Sequence, residues 1–240
     1  MRVVISYPLP FDAWPTFEPF VRRFLKTLKQ YDPGHDFEVA AVSNWGEATE
    51  FEHRRFRGTK TRFVPYYGNG CDAGSWFAAA NGINVHGQPD AFVICLTTRC
   101  YFHRDGWLRR LTFEHDKHGP GLYTTSCSHE GGTLHPCLRA FGVDSKFLQT
   151  YPDDYVSRDQ GTEFEAKGKF ADHVREKGGK IKLVTWSGCY DEPDWFKVTN
   201  RFRDGDQSNV LIYDKHTDAY RDADEFDKGR LAAMANPPTP

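Results

Sequence analysis

The chain has 240 residues and a formal net charge of −2, long enough for one large domain with a substantial core. The balanced charge gives no bulk bias toward nucleic acid or anionic membrane, and no apolar run reaches the length of a bilayer span. The six cysteines form no C-x-x-C pair, which fits a reduced protein without a disulfide frame. With a strand-like start in place of a secretory signal, a cytoplasmic location is expected.

Arg2 to Tyr7 reads as a first strand, closed by Pro8-Leu9-Pro10. A helix over Trp14 to Tyr31 follows, with Phe17, Phe20, Val21, Phe24, Leu25 and Leu28 on one face. Phe37 to Val42 and Arg62 to Tyr66 supply the second and third strands. Between them Arg54, Arg55, Arg57, Lys60 and Arg62 form a basic cluster. It is a solvated loop or, if it lines a groove, a place for nucleic acid.

The turn-rich stretch Gly68 to Gly74, carrying Asp72, leads into a helix over Ser75 to Asn81. Its amides can meet phosphate oxygens, yet it matches neither the P-loop nor the dinucleotide fingerprint. Ala91 to Leu96 is wholly apolar and stops at Thr97, Thr98 and Arg99. Such a run reads as a strand buried on both faces, and ligands bind beyond the carboxyl ends of these strands.

A helix around Asp105 to His115 turns Trp107, Leu108 and Leu111 inward. His115 and His118 read as an exposed helix end, because no third ligand stands at a metal-site spacing. Gly121 to Thr125 is a strand, Phe147 to Tyr151 a helix end. His129 and His135 flank Gly131-Gly132 as acceptor-pocket candidates. Glu163 and Glu165 open a helix over Phe164 to Lys177, where capping explains them as well as a general base would. Lys180 to Trp186 alternates as a strand.

Asp204 to Asn209 is a tight turn whose Asp206, Gln207 and Asn209 also suit hydrogen bonds to a sugar. Val210 to Tyr213 is a short apolar piece, and Asp214 and His216 stand at alternate positions of an extended segment. A helix over Asp222 to Ala235 ends at Pro237. The alternation of strands and helices predicts an α/β fold with a single mixed, mainly parallel sheet flanked by helices. Residues 1–236 are expected to form one domain and 237–240 a frayed tail.

In pattern and order, residues 1–216 resemble the A-type fold of nucleotide-sugar-dependent glycosyltransferases. Four features carry the resemblance: the N-terminal strand and helix; Asp72-Ala-Gly-Ser-Trp-Phe-Ala-Ala-Ala-Asn81 ahead of the Ala91–Leu96 strand; Phe102-His-Arg-Asp-Gly-Trp-Leu108; and Glu163-Phe-Glu165 opening a helix that ends at Gly178-Gly179. Members of that family usually end the buried strand with an Asp-x-Asp pair that holds a divalent metal on the donor diphosphate. Here the place reads Thr97-Thr98-Arg99.

The resemblance implies a transferase moving a sugar from a nucleotide-diphosphate donor to a glycan or other hydroxyl acceptor, by inversion. Asp72, Asp90, Thr97, Thr98, Arg99 and Arg104 would bind donor. Glu163, Glu165 or Asp206 would be catalytic, and Trp107, His135 and Trp186 would face the acceptor. Three accounts of the missing acid pair stand: Arg99 neutralises the diphosphate without metal; Mg or Mn is held by Asp206, Asp214 or His216; or the fold binds nucleotide-sugar or glycan without catalysis.

Overall fold

A strand that buries both faces belongs in the middle of a sheet, and the Phe92–Leu96 strand occupies that place. The computed structural model describes residues 1–10, 14–44, 46–68, 71–83, 90–130, 133–152 and 169–236. Along the chain these give β1 (Val3–Pro10), α1 (Trp14–Gln30), β2 (Glu38–Asn44), α2 (Glu50–Arg55), β3 (Thr61–Tyr66), α3 (Cys71–Asn81) and β4 (Phe92–Leu96). Next come α4 (Trp107–His118), β5 (Gly121–Thr124), β6 (Cys127–Ser128), β7 (His135–Pro136), β8 (Ala140–Asp144) and α5 (Ser145–Gln149). The last are α6 (Lys169–Glu176), β9 (Lys180–Val184), β10 (Cys189–Tyr190), a 3₁₀ turn (Glu192–Lys197), α7 (Lys215–Asp222) and α8 (Glu225–Ala235).

Eight strands form one sheet in the order β10-β9-β5-β8-β4-β1-β2-β3, and β6 and β7 pair as a separate ribbon. β1 is parallel to β2 and β4, β2 to β3, and β5 to β9. β8 runs antiparallel to both β4 and β5, and β10 antiparallel to β9. The expected mixed, mainly parallel sheet is therefore present.

The period of two along β4 divides its side chains between two cores. Val93 and Cys95 join Trp76, Ala79, Phe147 and Phe170 on one face. Phe92, Ile94 and Leu96 join Val21, Phe24, Leu108 and Leu111 on the other. Consequently α1 and α4 cover one side of the sheet, and α3, α5 and α6 the other. β1 lies between β4 and β2, the two strands that leave it in opposite directions. The crevice at their carboxyl ends is the topological switch point where open α/β sheets bind ligands.

Several expectations on the elements change. α3 starts at Cys71, the helix expected over 222–235 is present over Glu225–Ala235, and an additional helix over Lys215–Asp222 precedes it; the two are capped by Asp224 and Asp214. Asp214 and His216 therefore do not alternate on an extended segment: Asp214 is an N-cap and His216 lies in the first turn of α7. The basic stretch near residue 55 contains α2, capped reciprocally by Thr49 and Glu52. Of the helix expected over 164–177, residues 169–176 are helical and the start lies outside the described residues. Among the described residues, no helix is long and apolar enough to cross a membrane.

β8 is the strand the sequence does not announce. Among the described residues, the chain between β5 and β8 carries only the β6–β7 ribbon, and a strand returning without a helical crossover pairs antiparallel. Gly142 sits in its middle, opposite Ile94 and Tyr123. A Cβ there would meet the Phe92 ring at 2.2 Å, so the ring occupies the space that a side chain would need. Gly142→Ala is expected to lower stability by about 1–3 kcal/mol, seen as a fall in the urea midpoint with an unchanged m-value, and Phe92→Leu in that background should restore part of the loss.

Candidate active site at the carboxyl end of strand β4

The apolar strand ends in a turn, in which the Cys100 amide donates to the Thr97 carbonyl at 3.1 Å. Thr98, at its first central position, is buried. Its hydroxyl shares one proton between Asp72 Oδ1 at 3.2 Å and the Pro8 carbonyl at 3.4 Å, and its amide approaches Asp72 Oδ1 at 3.4 Å. The buried Tyr7 hydroxyl donates to the Thr98 carbonyl at 2.7 Å, and the Tyr7 ring stacks on Phe24 at 3.8 Å. Trp76 Nε1 donates to the Leu96 carbonyl at 2.8 Å. The turn is thus fastened to β1 and α3.

Arg99 projects from this fixed turn and is half-buried. Its guanidinium lies 4.7 Å from the Phe17 ring centre and 5.6 Å from that of Phe20, contacts worth about 0.5–1 kcal/mol at an accessible site. Phe17 and Phe20 are only half-buried: they flank Arg99 instead of filling the core beside Phe24. Asp72, in the first turn of α3, has its pKa raised by burial, against the opposing Thr98 hydrogen bonds and the charges of Arg99 and Lys215.

Lys215 is a residue the sequence reading passed over. It arrives because Tyr101 and Tyr213 exchange backbone hydrogen bonds of 2.8 and 3.1 Å, which lays the start of α7 beside the β4 turn. Arg23 on α1 fastens the same helix through Asp218 at 2.7 Å. Burial and then the Arg99 guanidinium lower the Lys215 pKa, so the two cations share one field. Lys215 is the first residue of α7, where the dipole disfavours a cation unless an anion joins it; no helix start was readable there from the sequence.

Behind Lys215, Arg139 reaches Asp214 Oδ2 at 3.9 Å and Glu130 at 3.6 Å, and Arg203 reaches Glu130 at 2.7 Å. Arg139 immediately precedes β8, and its carbonyl accepts from the Thr97 amide at 3.0 Å. Burial, then Arg139, lower the His216 pKa to about 4, with Lys215 and Arg203 adding to the repulsion and Asp214 opposing it.

Among the described residues, the donor set here does not fit a divalent cation. Hard cations take clustered carboxylate oxygens, whereas the β4 turn offers two threonines and an arginine. Asp72 is bonded to Thr98 and lies in the field of Arg99 and Lys215. Asp214 Oδ1 accepts from the His216 and Thr217 amides at 2.9 and 3.0 Å as a helix cap. His216 stands among Arg139, Lys215 and Arg203.

The other sequence-selected residues lie elsewhere. Asp90 is exposed at the amino end of β4, across the length of the strand from Thr97. Trp107 is fully buried and stacked on Phe102 at 3.9 Å. His135 is buried in β7 with Nδ1 3.0 Å from the Thr133 carbonyl. Asp206 is exposed, and hydrogen bonds from the Ser208 side chain and then from the Ser208 amide, at 2.9 Å to Oδ1, lower its pKa. Arg104 lies over the half-buried Trp186 at 4.5 Å, beyond the carboxyl end of β9. Glu163 and Glu165 lie outside the described residues. Three of the five residues of the basic cluster have partners: Arg54 with Glu50, Arg55 with Glu18, and Arg62 with Glu38 and the carbonyls of Ala79 and Gly82.

No protein-family model matches the chain, and no curated protein resembles it in sequence. Among solved structures, residues 1–349 of TarS from S. aureus, in complex with UDP, align with 97% of this chain and 70% of that one, at 13% identity and a TM-score of 0.53. HddC from Yersinia pseudotuberculosis aligns with 65% of this chain and 83% of its own, at 12% identity and a TM-score of 0.43. The galactosyltransferase LgtC, with donor and acceptor sugar analogues, aligns with 70% and 66%, at 12% identity and a TM-score of 0.41. The sheet and the likeness to TarS show an A-type glycosyltransferase-like fold.

The lowered His216 pKa sets a pH dependence. The folded protein keeps the imidazole neutral down to about 4, while the unfolded chain protonates it near 6.5. The unfolded state therefore binds more protons across that window, and stability falls as pH drops from 6.5 toward 4. In His216→Gln that component, about 1–3 kcal/mol, should vanish from a comparison of urea midpoints at the two ends of the window.

Proposed function

We propose that this chain transfers a sugar from a nucleotide-diphosphate donor to a hydroxyl acceptor. The observation that carries the reading is the meeting of Arg99, Lys215 and Asp72 beyond the carboxyl end of β4. A leaving diphosphate needs positive charge at its oxygens as the glycosidic bond breaks. Arg99 binds phosphate oxygens through its planar fork, and Lys215 adds a second charge. Together they supply what an Asp-x-Asp-bound cation supplies elsewhere. TarS was solved with UDP, which makes a uridine diphosphate sugar the first donor to test.

In this reading Asp72 accepts from the ribose or base, and Thr97 and Thr98 hold the turn against the diphosphate. The acceptor oxygen attacks the anomeric carbon, the carbon–oxygen bond to the diphosphate breaks, and a carboxylate takes the acceptor proton. Attack from the face opposite the diphosphate inverts the anomeric centre. Glu163 or Glu165 is the proposed base. Asp206, whose carboxylate is stabilised by the Ser208 hydrogen bonds, is a weaker one, because a lowered pKa weakens a general base. Arg104 on Trp186 offers a flat, polar-rimmed surface for an acceptor sugar.

The test is nucleotide release by the purified protein from UDP-, GDP- and dTDP-sugars, with and without EDTA. Release is expected to survive EDTA and to fall about 10²–10³-fold in Arg99→Ala, with a smaller loss in Lys215→Met. Release abolished by EDTA would contradict the metal-free reading. A thermal shift with donor but no release would assign a nucleotide-sugar-binding protein, and neither signal with any donor would sink both.

A further inference from the structure

Glu114 and His118 lie one turn apart on α4, and Cys189 stands on the edge strand β10, opposite Val184. Their ligand atoms, a carboxylate oxygen, an imidazole nitrogen and the thiol sulfur, all lie within 4.8 Å of one another. Nothing in the proposed sugar transfer uses them. The Glu114 side chain is only 4% exposed, the Cys189 thiol hydrogen-bonds its carboxylate, and its Oε2 is buried. His118 Nε2 stands 3.3 Å from that oxygen. Atoms bound to one tetrahedral zinc at about 2.0–2.3 Å lie roughly 3.3–3.8 Å from each other, so this pair already has the required spacing.

We propose that Glu114, His118 and Cys189 bind a single zinc-type transition-metal ion. Imidazole with thiolate selects zinc over magnesium or calcium, which prefer oxygen ligands throughout. Three protein ligands leave the fourth position to water. Coordination forms a metal–sulfur bond and releases the thiol proton to solvent. Arg110 holds the other Glu114 oxygen and, through Nε, the Thr185 carbonyl at 3.0 Å. That contact fixes the carboxylate with Oε2 turned toward His118, the orienting role that outer groups play at metal sites. Thiolate and carboxylate carry two negative charges against the positive charges of Arg110 and Lys182, and Lys182 is itself paired with Asp191 at 2.6 Å, which leaves a net attraction for a dication. The ion would tie β10 to α4.

Chelator-stripped full-length protein titrated with Co²⁺ reads the site directly, because a cobalt–thiolate bond gives an intense near-ultraviolet charge-transfer band. The expected result is that band at one equivalent, its displacement by Zn²⁺, and a higher melting temperature with Zn²⁺. Cys189→Ser should lose the band while keeping its far-ultraviolet circular dichroism. His118→Gln and Glu114→Gln, the latter able to keep the Arg110 hydrogen bond, should each weaken Zn²⁺ binding about tenfold or more. No band in folded wild-type protein would show a plain Glu114–His118 ion pair and overturn the proposal. A band that persists in Cys189→Ser would place the metal on another thiol and overturn it equally.

Discussion

Thr98 is the residue on which the candidate site depends. It is buried at the end of the central parallel strand and is held by Tyr7, Pro8 and Asp72. Those three belong to the strand on one side and the helix on the other. Tyr7 is itself stacked on Phe24 of α1, so one small side chain and its carbonyl couple β1, β4, α1 and α3. A buried hydroxyl with satisfied partners specifies a single arrangement, since any other leaves desolvated polar atoms unpaired. The result is a rigid turn that carries Arg99 outward at a fixed place.

Charge then organises what surrounds the turn. Burial raises the Asp72 pKa and lowers that of His216, while Arg99, Lys215, Arg139 and Arg203 all bear on the same region. Burial also pushes Glu130 up, yet the Arg203 and Arg139 guanidiniums outweigh it and hold the carboxyl below its usual range. Glu130 and Asp214 thus absorb part of the positive charge behind the site and leave Arg99 and Lys215 toward the crevice. Charges gathered in this way favour an anion over a cation at the end of β4; in the proposed transfer they do the work of a metal.

The parts of this arrangement that were legible in the sequence are those set by local pattern. The apolar run before Thr97 marked a strand buried on two faces, and its abrupt polar stop marked the strand's end. The α1 periodicity marked a helix, although Phe17 and Phe20 serve Arg99 and not the core. β8 was not legible, because a short strand interrupted by Gly142 has no alternation to display, and its place depends on the Phe92 ring across the pair. Lys215 and Arg139 were not legible either. They reach the site through the Tyr101–Tyr213 bridge and the antiparallel insertion of β8, contacts between segments far apart in sequence. Cys189 beside Glu114 and His118 is a third such meeting.

By itself, then, the sequence determined the class of fold, the central strand and the chemistry of its terminal turn. These follow from period-two burial and from the change of polarity at one residue, both properties of neighbours along the chain. Tertiary structure alone decided which charges gather at that turn, which aromatic residues are core and which flank Arg99, and which thiol faces the α4 carboxylate. Those outcomes depend on strand order and on which polar groups find partners once water is removed, and neither is written in the spacing of residues along one segment.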